Sequence, residues 1–187
     1  MRTLTLVLCL TVLPLLTQAR PSDPSPVVSG TTDSPNPLQS HVRVLNERLR
    51  QIIDRATPAS PTLQRLPAVL QESDVVVYIQ CDMRLPSRVA GRLSFVSSAA
   101  GVRYVLIGVA YVGSVSPQAA LIGHELRHAV EVAELPAIVD ETSFDREYAR
   151  IGFVGPSGGA YGVKSYETQN ARAAGEQILR ELREGTD

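Results

Sequence analysis

The chain has 187 residues, and its 18 basic and 19 acidic residues give a formal net charge of −1. This balance leaves no basic surface for nucleic acid or for an anionic membrane, so neither is expected as a partner. Tryptophan is absent and aromatic residues make up 5% of the chain, which argues against a stacking platform for sugars or bases. The composition is that of a globular protein with one core.

The first 37 residues divide into two segments that are not expected to join this core. Residues 1–19 carry one early positive charge, an apolar run and a small-x-small ending, which predicts a secretory signal peptide and a secreted or periplasmic protein. No membrane association is expected after cleavage. Residues 20–37 are rich in proline and serine and predict a disordered linker. Residues 38–187 would then form a single domain, whose one cysteine, Cys81, has no partner for an internal disulfide.

The first half of this domain predicts one helix and three strands. Apolar residues at spacings of three and four predict an N-terminal helix over residues 38–56, followed by a proline-punctuated connection. A run rich in β-branched residues predicts a strand over residues 74–81. Residues 92–96 and 103–112 flank a Ser/Ala/Gly turn and predict an antiparallel hairpin.

A long helix follows the hairpin. Ser116 and Pro117 supply an N-cap and a first-turn proline, and Leu135-Pro136 ends the helix after about five turns. Apolar residues cover most of its circumference, so the helix is expected to be buried. A polar stripe would face solvent; it consists of Arg127, Glu131 and Glu134.

The middle of this helix carries an H-E-x-x-H motif. His124 and His128 are four positions apart and therefore lie on one helical face, with Glu125 beside them. Unpaired polar groups on a buried helix are costly, and binding of one metal ion would satisfy both imidazoles. Two imidazoles and an adjacent acid favour Zn²⁺ and metal-assisted hydrolysis. The third histidine, His41, lies at a predicted helix start and is expected to be exposed rather than a ligand.

The string Gly-His-Glu-Leu-Arg-His-Ala-Val, residues 123–130, resembles the active-site helix of zincin metallopeptidases, most closely the thermolysin-like gluzincins. The resemblance implies that His124 and His128 bind zinc and that Glu125 is the general base for a zinc-bound water. It also implies a glutamate from a later helix as the third ligand, and a peptide or protein substrate. In zincins an extended substrate adds to a strand beside the zinc helix; residues 104–111 or their hairpin partner are the candidates here.

Three acids could supply the third ligand. Glu167 is preferred, because it opens a predicted C-terminal helix, residues 165–183, at the inner end of an apolar stripe. Glu141 is the second candidate and Glu147 the third, both on a predicted helix over residues 139–151.

The chain also departs from the thermolysin-like pattern. Tyr148 stands where those enzymes carry the third glutamate, and no histidine follows His128 to stabilise an oxyanion. That role would fall to tyrosine or arginine, with Tyr161 and Tyr166 the nearest candidates. A glycine-rich stretch, residues 155–162, lacks the features of a phosphate-binding loop and predicts a connection.

The sequence therefore predicts an α+β fold: a small zincin-like domain with an N-terminal helix, a short antiparallel sheet, a buried H-E-x-x-H helix and a C-terminal helix. The expected function is that of a secreted zinc metallopeptidase with Glu125 as general base. Two alternatives stay open, a zincin-like protein that binds metal without turnover and a secreted module without metal. Oligomeric state is not predicted.

Overall fold

The computed structural model describes residues 40–154 and 166–185, which form a mixed α and β fold. The predicted signal peptide, the predicted linker and the glycine-rich stretch lie outside the described residues. No described helix combines the length and the apolar character needed to cross a membrane.

A four-stranded sheet in the order β1-β2-β4-β3 forms the centre of the fold. Its strands are β1 (Val42–Val44), β2 (Val75–Cys81), β3 (Gly91–Ala99) and β4 (Val102–Val109). The first two strands and β4 are mutually parallel, and only β3 runs antiparallel to its neighbour. The prediction of an antiparallel sheet is therefore wrong outside the hairpin, because helices connect β1 to β2 and such crossovers allow parallel pairing. Since β4 is covered on both sides, the edge strand of this hairpin is β3.

The β3–β4 hairpin turns over two residues. Ala100 and Gly101 have φ angles of 51° and 77°, the positive values that a type I′ turn requires. The predicted turn was longer, but a register shift between Phe95 and Ser97 allows the strand to continue to Ala99.

The predicted N-terminal helix is shorter than expected. Residues 42–44 form β1, and α1 (Glu47–Ala56) begins after Asn46, whose side chain accepts a hydrogen bond from the Leu49 amide. The two valines of β1 favour a strand, and parallel pairing with β2 supplies the backbone partners that a helix would otherwise provide.

The stretch predicted as a connection after α1 is helical. A 3₁₀ turn (Thr57–Ala59) leads into α2 (Pro61–Gln71), which Ser60 caps through a hydrogen bond from the Leu63 amide. Pro58 and Pro61 stand in the first turns of the 3₁₀ helix and of α2, where proline is compatible with a helix, whereas Pro67 lies inside α2. Three leucines at helical spacing bury this helix against the core; they are Leu63, Leu66 and Leu70.

The long helix α3 (Val115–Glu134) is buried as predicted, although its cap is Ser114 rather than Ser116. It packs along α5 (Gln169–Glu184). Two glycines permit this close approach: a Cβ on Gly123 would collide with Ile178, and a Cβ on Gly175 would lie 3.2 Å from His124 Cβ.

Two short elements bring the end of the chain to α3. The helix α4 (Glu141–Ile151) leads into β5 (Phe153–Val154), which pairs antiparallel with β6 (Tyr166–Glu167). The predicted C-terminal helix thus starts later than expected, at Gln169 with Thr168 as its N-cap. Glu167 lies in the strand that precedes this helix.

Candidate metal centre

Three side chains from two parts of the chain converge on one point. His124 and His128 project from α3, and Glu167 reaches them from β6. The Nε2 atom of His124 lies 3.5 Å from Glu167 Oε2, and the Nε2 atom of His128 lies 3.5 Å from Glu167 Oε1. The three ligand atoms lie within 4.8 Å of one another, so the group could hold a metal ion.

The charges of the site favour neutral His124 and ionised Glu167. Burial lowers the pKa of His124, partly opposed by the negative charge of Glu167. Burial alone would raise the pKa of Glu167, but the two imidazoles and the Thr168 amide outweigh it and lower that pKa. Burial would also lower the pKa of His128, yet its bonds to Glu131 and Glu167 outweigh burial and raise the pKa to about 9. In the metal-free site a proton can therefore occupy the His128 nitrogen that faces Glu167.

Glu125 lies beside this group in a nearly dry position. Its side chain is 4% exposed, and burial raises the pKa of its carboxyl to about 7, with the charge of His128 opposing this and that of Glu167 adding to it. The start of β3 passes directly over the carboxyl. A Cβ on Gly91 would overlap Glu125 Oε1 and lie 2.9 Å from Cδ, so a glycine provides the space for this acid.

A cleft of about 560 Å³ is lined by His124, Glu125, His128 and Glu167. The cleft is lined by residues 90–93, at the start of β3, and by residues of α3, α4 and α5. Charged side chains of both signs surround it; they are Arg88, Arg92, Asp145, Arg172 and Glu176. The cleft is large enough for several residues of an extended peptide or for a drug-sized ligand.

Comparison of the chain with models of known protein families, with curated proteins and with solved structures finds no match.

The other proposed ligands lie elsewhere. Glu141, expected on a buried face, is exposed at the first residue of α4. Glu147 pairs with Arg150, with 2.8 Å between the guanidinium and the carboxylate. His41, expected to be exposed and not a ligand, is half-buried just before β1 and bonds through Nδ1 to the carbonyl of Leu70 at 2.9 Å. None of these side chains belongs to the His124–His128–Glu167 group.

Tyr148, which stands where thermolysin-like enzymes carry their third glutamate, does not belong to the His124–His128–Glu167 group and contacts α3 instead. Its hydroxyl donates a 2.8 Å hydrogen bond to the backbone carbonyl of His128, and its ring lies 5.7 Å from the imidazole. The side chain is 3% exposed. Because its hydroxyl is already engaged, Tyr148 braces the helix.

The sequence prediction missed Glu131. It was assigned to a solvent-facing stripe, but it is 3% exposed, and its carboxylate lies 2.9 Å from His128 Nδ1. The spacing could have indicated this contact, because positions three apart on a helix are neighbours. Of the three residues of the polar stripe, Glu131 is therefore buried, whereas Arg127 and Glu134 form an ion pair near the surface.

Of the two tyrosines considered for an oxyanion role, Tyr166 lines the cleft. Tyr161 lies outside the described residues. Arg172 also lines the cleft, and its positive charge contributes to lowering the pKa of His124. Tyr166 and Arg172 are therefore two hydrogen-bond donors of the cleft that could contact a bound substrate.

Proposed function

We propose that this protein is a zinc-dependent hydrolase of the metallopeptidase type, with His124, His128 and Glu167 as ligands. The observation that carries the proposal is the spacing of the ligand atoms. Ligands at about 2.0–2.1 Å around a tetrahedral zinc ion are separated by about 3.4 Å. Each Nε2 atom lies 3.5 Å from a different oxygen of Glu167, a separation that suits two imidazoles and a carboxylate around one ion.

The donor set favours zinc over the other common ions. Two imidazole nitrogens argue against Mg²⁺ and Ca²⁺, which prefer oxygen ligands. A set of two histidines and one carboxylate also serves Fe²⁺ in oxygenases. The buried acid next to the histidines favours zinc hydrolysis, because that chemistry requires a base beside the ion.

When bound, zinc would supply a Lewis acid that lowers the pKa of a water molecule to about 7 and polarises the scissile carbonyl. Glu125 takes the proton from the attacking water on a carboxylate oxygen and delivers it to the leaving amine nitrogen. In the metal-free site burial raises the pKa of the Glu125 carboxyl to about 7, and the positive charge of a bound ion would lower that pKa, so Glu125 would be an ionised carboxylate able to accept the proton. Burial of the carboxyl also keeps competing bulk water away from it.

A peptide is the proposed substrate because of the strand that borders the cleft. β3 is one of the two edge strands of the sheet, and its first residue, Gly91, lies against Glu125 in the cleft. An edge strand can pair with an extended segment through backbone hydrogen bonds. Such pairing would carry the substrate backbone past the acid. The signal-like residues 1–19 support the further proposal that the protein acts outside the cytoplasm.

Metal binding without turnover is the second candidate. The observation that favours it is the absence of any histidine after His128, which leaves the oxyanion without the partner used by thermolysin-like enzymes. In that case the site would bind zinc for stability or sequestration.

The test combines metal analysis with cleavage of a diverse peptide library. The zinc-replete protein should carry about one equivalent of zinc. Glu125→Gln should keep the metal and lose roughly 100- to 10,000-fold in kcat, whereas His128→Ala should lose both. Glu134→Gln, the same change at an exposed position of α3, is the matched control. Stoichiometric zinc with no cleavage by the wild type would support the metal-binding candidate, and a protein without metal would overturn both.

A further inference from the structure

A continuous set of hydrogen bonds runs behind the metal group. His128 Nδ1 lies 2.9 Å from Glu131 Oε2, and the Thr168 hydroxyl donates to Glu131 Oε1 over 2.7 Å. The backbone amide of Thr168 in turn donates to Glu167 Oε1 over 2.8 Å. The series begins at one proposed ligand and ends at another.

This series connects elements that are far apart in the sequence. Both histidines lie on α3, whereas Glu167 lies on β6, immediately before α5. Within the described residues, Thr168 has two roles at this junction. Its hydroxyl oxygen accepts from the Ala171 amide at 3.1 Å, which caps α5, while its hydroxyl hydrogen is directed to Glu131.

Both carboxylate oxygens of Glu131 accept hydrogen bonds. Each oxygen has its own donor, one from His128 and one from Thr168, and the side chain is 3% exposed. An imidazole that binds metal through Nε2 carries its proton on Nδ1, so an acceptor at Nδ1 fixes both the tautomer and the ring plane. Glu131 is such an acceptor, supplied by the helix that also carries the ring.

We propose that Glu131 is a positioning residue of the metal centre. It holds the His128 ring with Nε2 turned toward Glu167. Through the Thr168 hydroxyl it also fixes β6 and the start of α5 against α3, so the third ligand arrives at a set distance from the imidazoles. This inference rests on the proposed function only in taking the site to bind zinc, and it does not depend on peptide cleavage.

The experiment measures zinc affinity by competition with a chromogenic chelator, and ligand geometry by the visible spectrum of the Co²⁺-substituted protein. Glu131→Gln should weaken zinc binding roughly 10- to 100-fold, and it should shift the Co²⁺ absorption bands. Glu134→Gln is the matched control, because it makes the same change on the exposed face of α3 and should leave both readouts unchanged.

Two variants of Thr168 test the part of the hydrogen-bond series that joins Glu131 to Thr168. Thr168→Val removes the hydroxyl and should weaken zinc binding in the same direction as Glu131→Gln. Thr168→Ser keeps the hydroxyl and should restore affinity to within about threefold of the wild type. If Thr168 only caps α5, the Val variant should have a lower melting temperature and an unchanged zinc affinity. That result would overturn the proposed role of the Thr168–Glu131 hydrogen bond in positioning Glu167.

The inference and the proposed function fail in different ways. Wild-type affinity and an unchanged Co²⁺ spectrum in Glu131→Gln would overturn the positioning role alone. Zinc binding that responds to Glu131 in a protein that cleaves no peptide would support the positioning role and overturn the hydrolase. A wild type that binds neither metal would overturn both.

Discussion

The carboxyl group of Glu125 lies against the backbone of Gly91 and fills the space that a side chain at position 91 would occupy. The edge strand β3 and the proposed general base are thus in direct contact. A substrate segment paired with β3 would begin beside this acid, so the position of the strand and the position of the base are set together.

The first prediction concerns this contact. Gly91→Ala should displace the Glu125 carboxyl and lower kcat by roughly 100-fold, since an error of about 1 Å at a reacting group can have that effect. Zinc affinity should stay within about threefold of the wild type, because the added methyl contacts the base. Steady-state kinetics on a cleaved peptide and a zinc titration give the two values. Ser98→Ala, at an exposed position of the same strand, is the control, and equal kcat for Gly91→Ala and wild type would contradict the prediction.

The second prediction concerns the stability of the metal-free protein. The pKa of His128 is raised from 6.5 to about 9, so the folded state holds this proton more tightly than the unfolded state. The resulting stabilisation is complete below pH 6.5 and is lost as the pH rises through about 9. The pKa of Glu125 is also raised, to about 7, so its contribution to stability is lost as the pH rises through about 7, at the lower end of the same pH range.

We therefore expect the melting temperature of the chelator-treated protein to fall between pH 7 and pH 9.5. Bound zinc would occupy the nitrogen that the proton leaves, so the zinc-loaded protein should show a smaller fall. Thermal denaturation with chelator and with excess zinc, in buffers half a pH unit apart, makes the comparison. A metal-free profile that is flat or rises across this interval would contradict the assignment of the proton to His128.

The third prediction concerns the donor that faces the substrate oxygen. Arg172 lines the cleft, and its charge acts on His124, whereas Tyr166 offers a neutral hydroxyl. A positive charge stabilises a developing oxyanion more strongly than a hydroxyl group does. Arg172→Gln should lower kcat roughly 10- to 100-fold, and Arg172→Lys should recover part of the loss. Tyr166→Phe is the comparison variant, and a greater loss in kcat for it than for Arg172→Gln would assign the role to the tyrosine.

The fourth prediction concerns Arg103, which binds the C-terminal end of α3. Its side chain is 4% exposed, bonds Asp74 through two nitrogens at 2.6 and 2.7 Å, and donates to the carbonyls of Val132 and Leu135. Arg103→Met would leave these carbonyls without a donor and should lower the free energy of unfolding by about 2–4 kcal/mol. Chemical denaturation measures the change. Arg150→Met, which removes an exposed ion pair with Glu147, should cost about 1 kcal/mol or less; similar losses for both variants would contradict the proposed role.

Local patterns in the sequence were sufficient to predict part of the fold. The run of β-branched residues specified β2, and the pair of strands around Gly101 specified the hairpin. Apolar residues cover most of the circumference of α3 and leave only a narrow polar stripe, and this pattern predicted a largely buried helix. The spacing of His124 and His128 placed both rings on one face, since helical periodicity alone fixes that relationship.

Tertiary structure decided the rest, because it depends on contacts between residues distant in the chain. Whether β1 forms a strand or the start of a helix depends on its pairing with β2, about 35 residues away. The apolar stripe of the predicted C-terminal helix favoured Glu167 over Glu141 and Glu147, but whether Glu167 reaches the histidines depends on how β6 and α5 pack against α3. The buried role of Glu131 likewise required Thr168, 37 positions later, to approach its second oxygen. Helical spacing could bring two ligands together, but only the packing of β6 and α5 on α3 could bring the third.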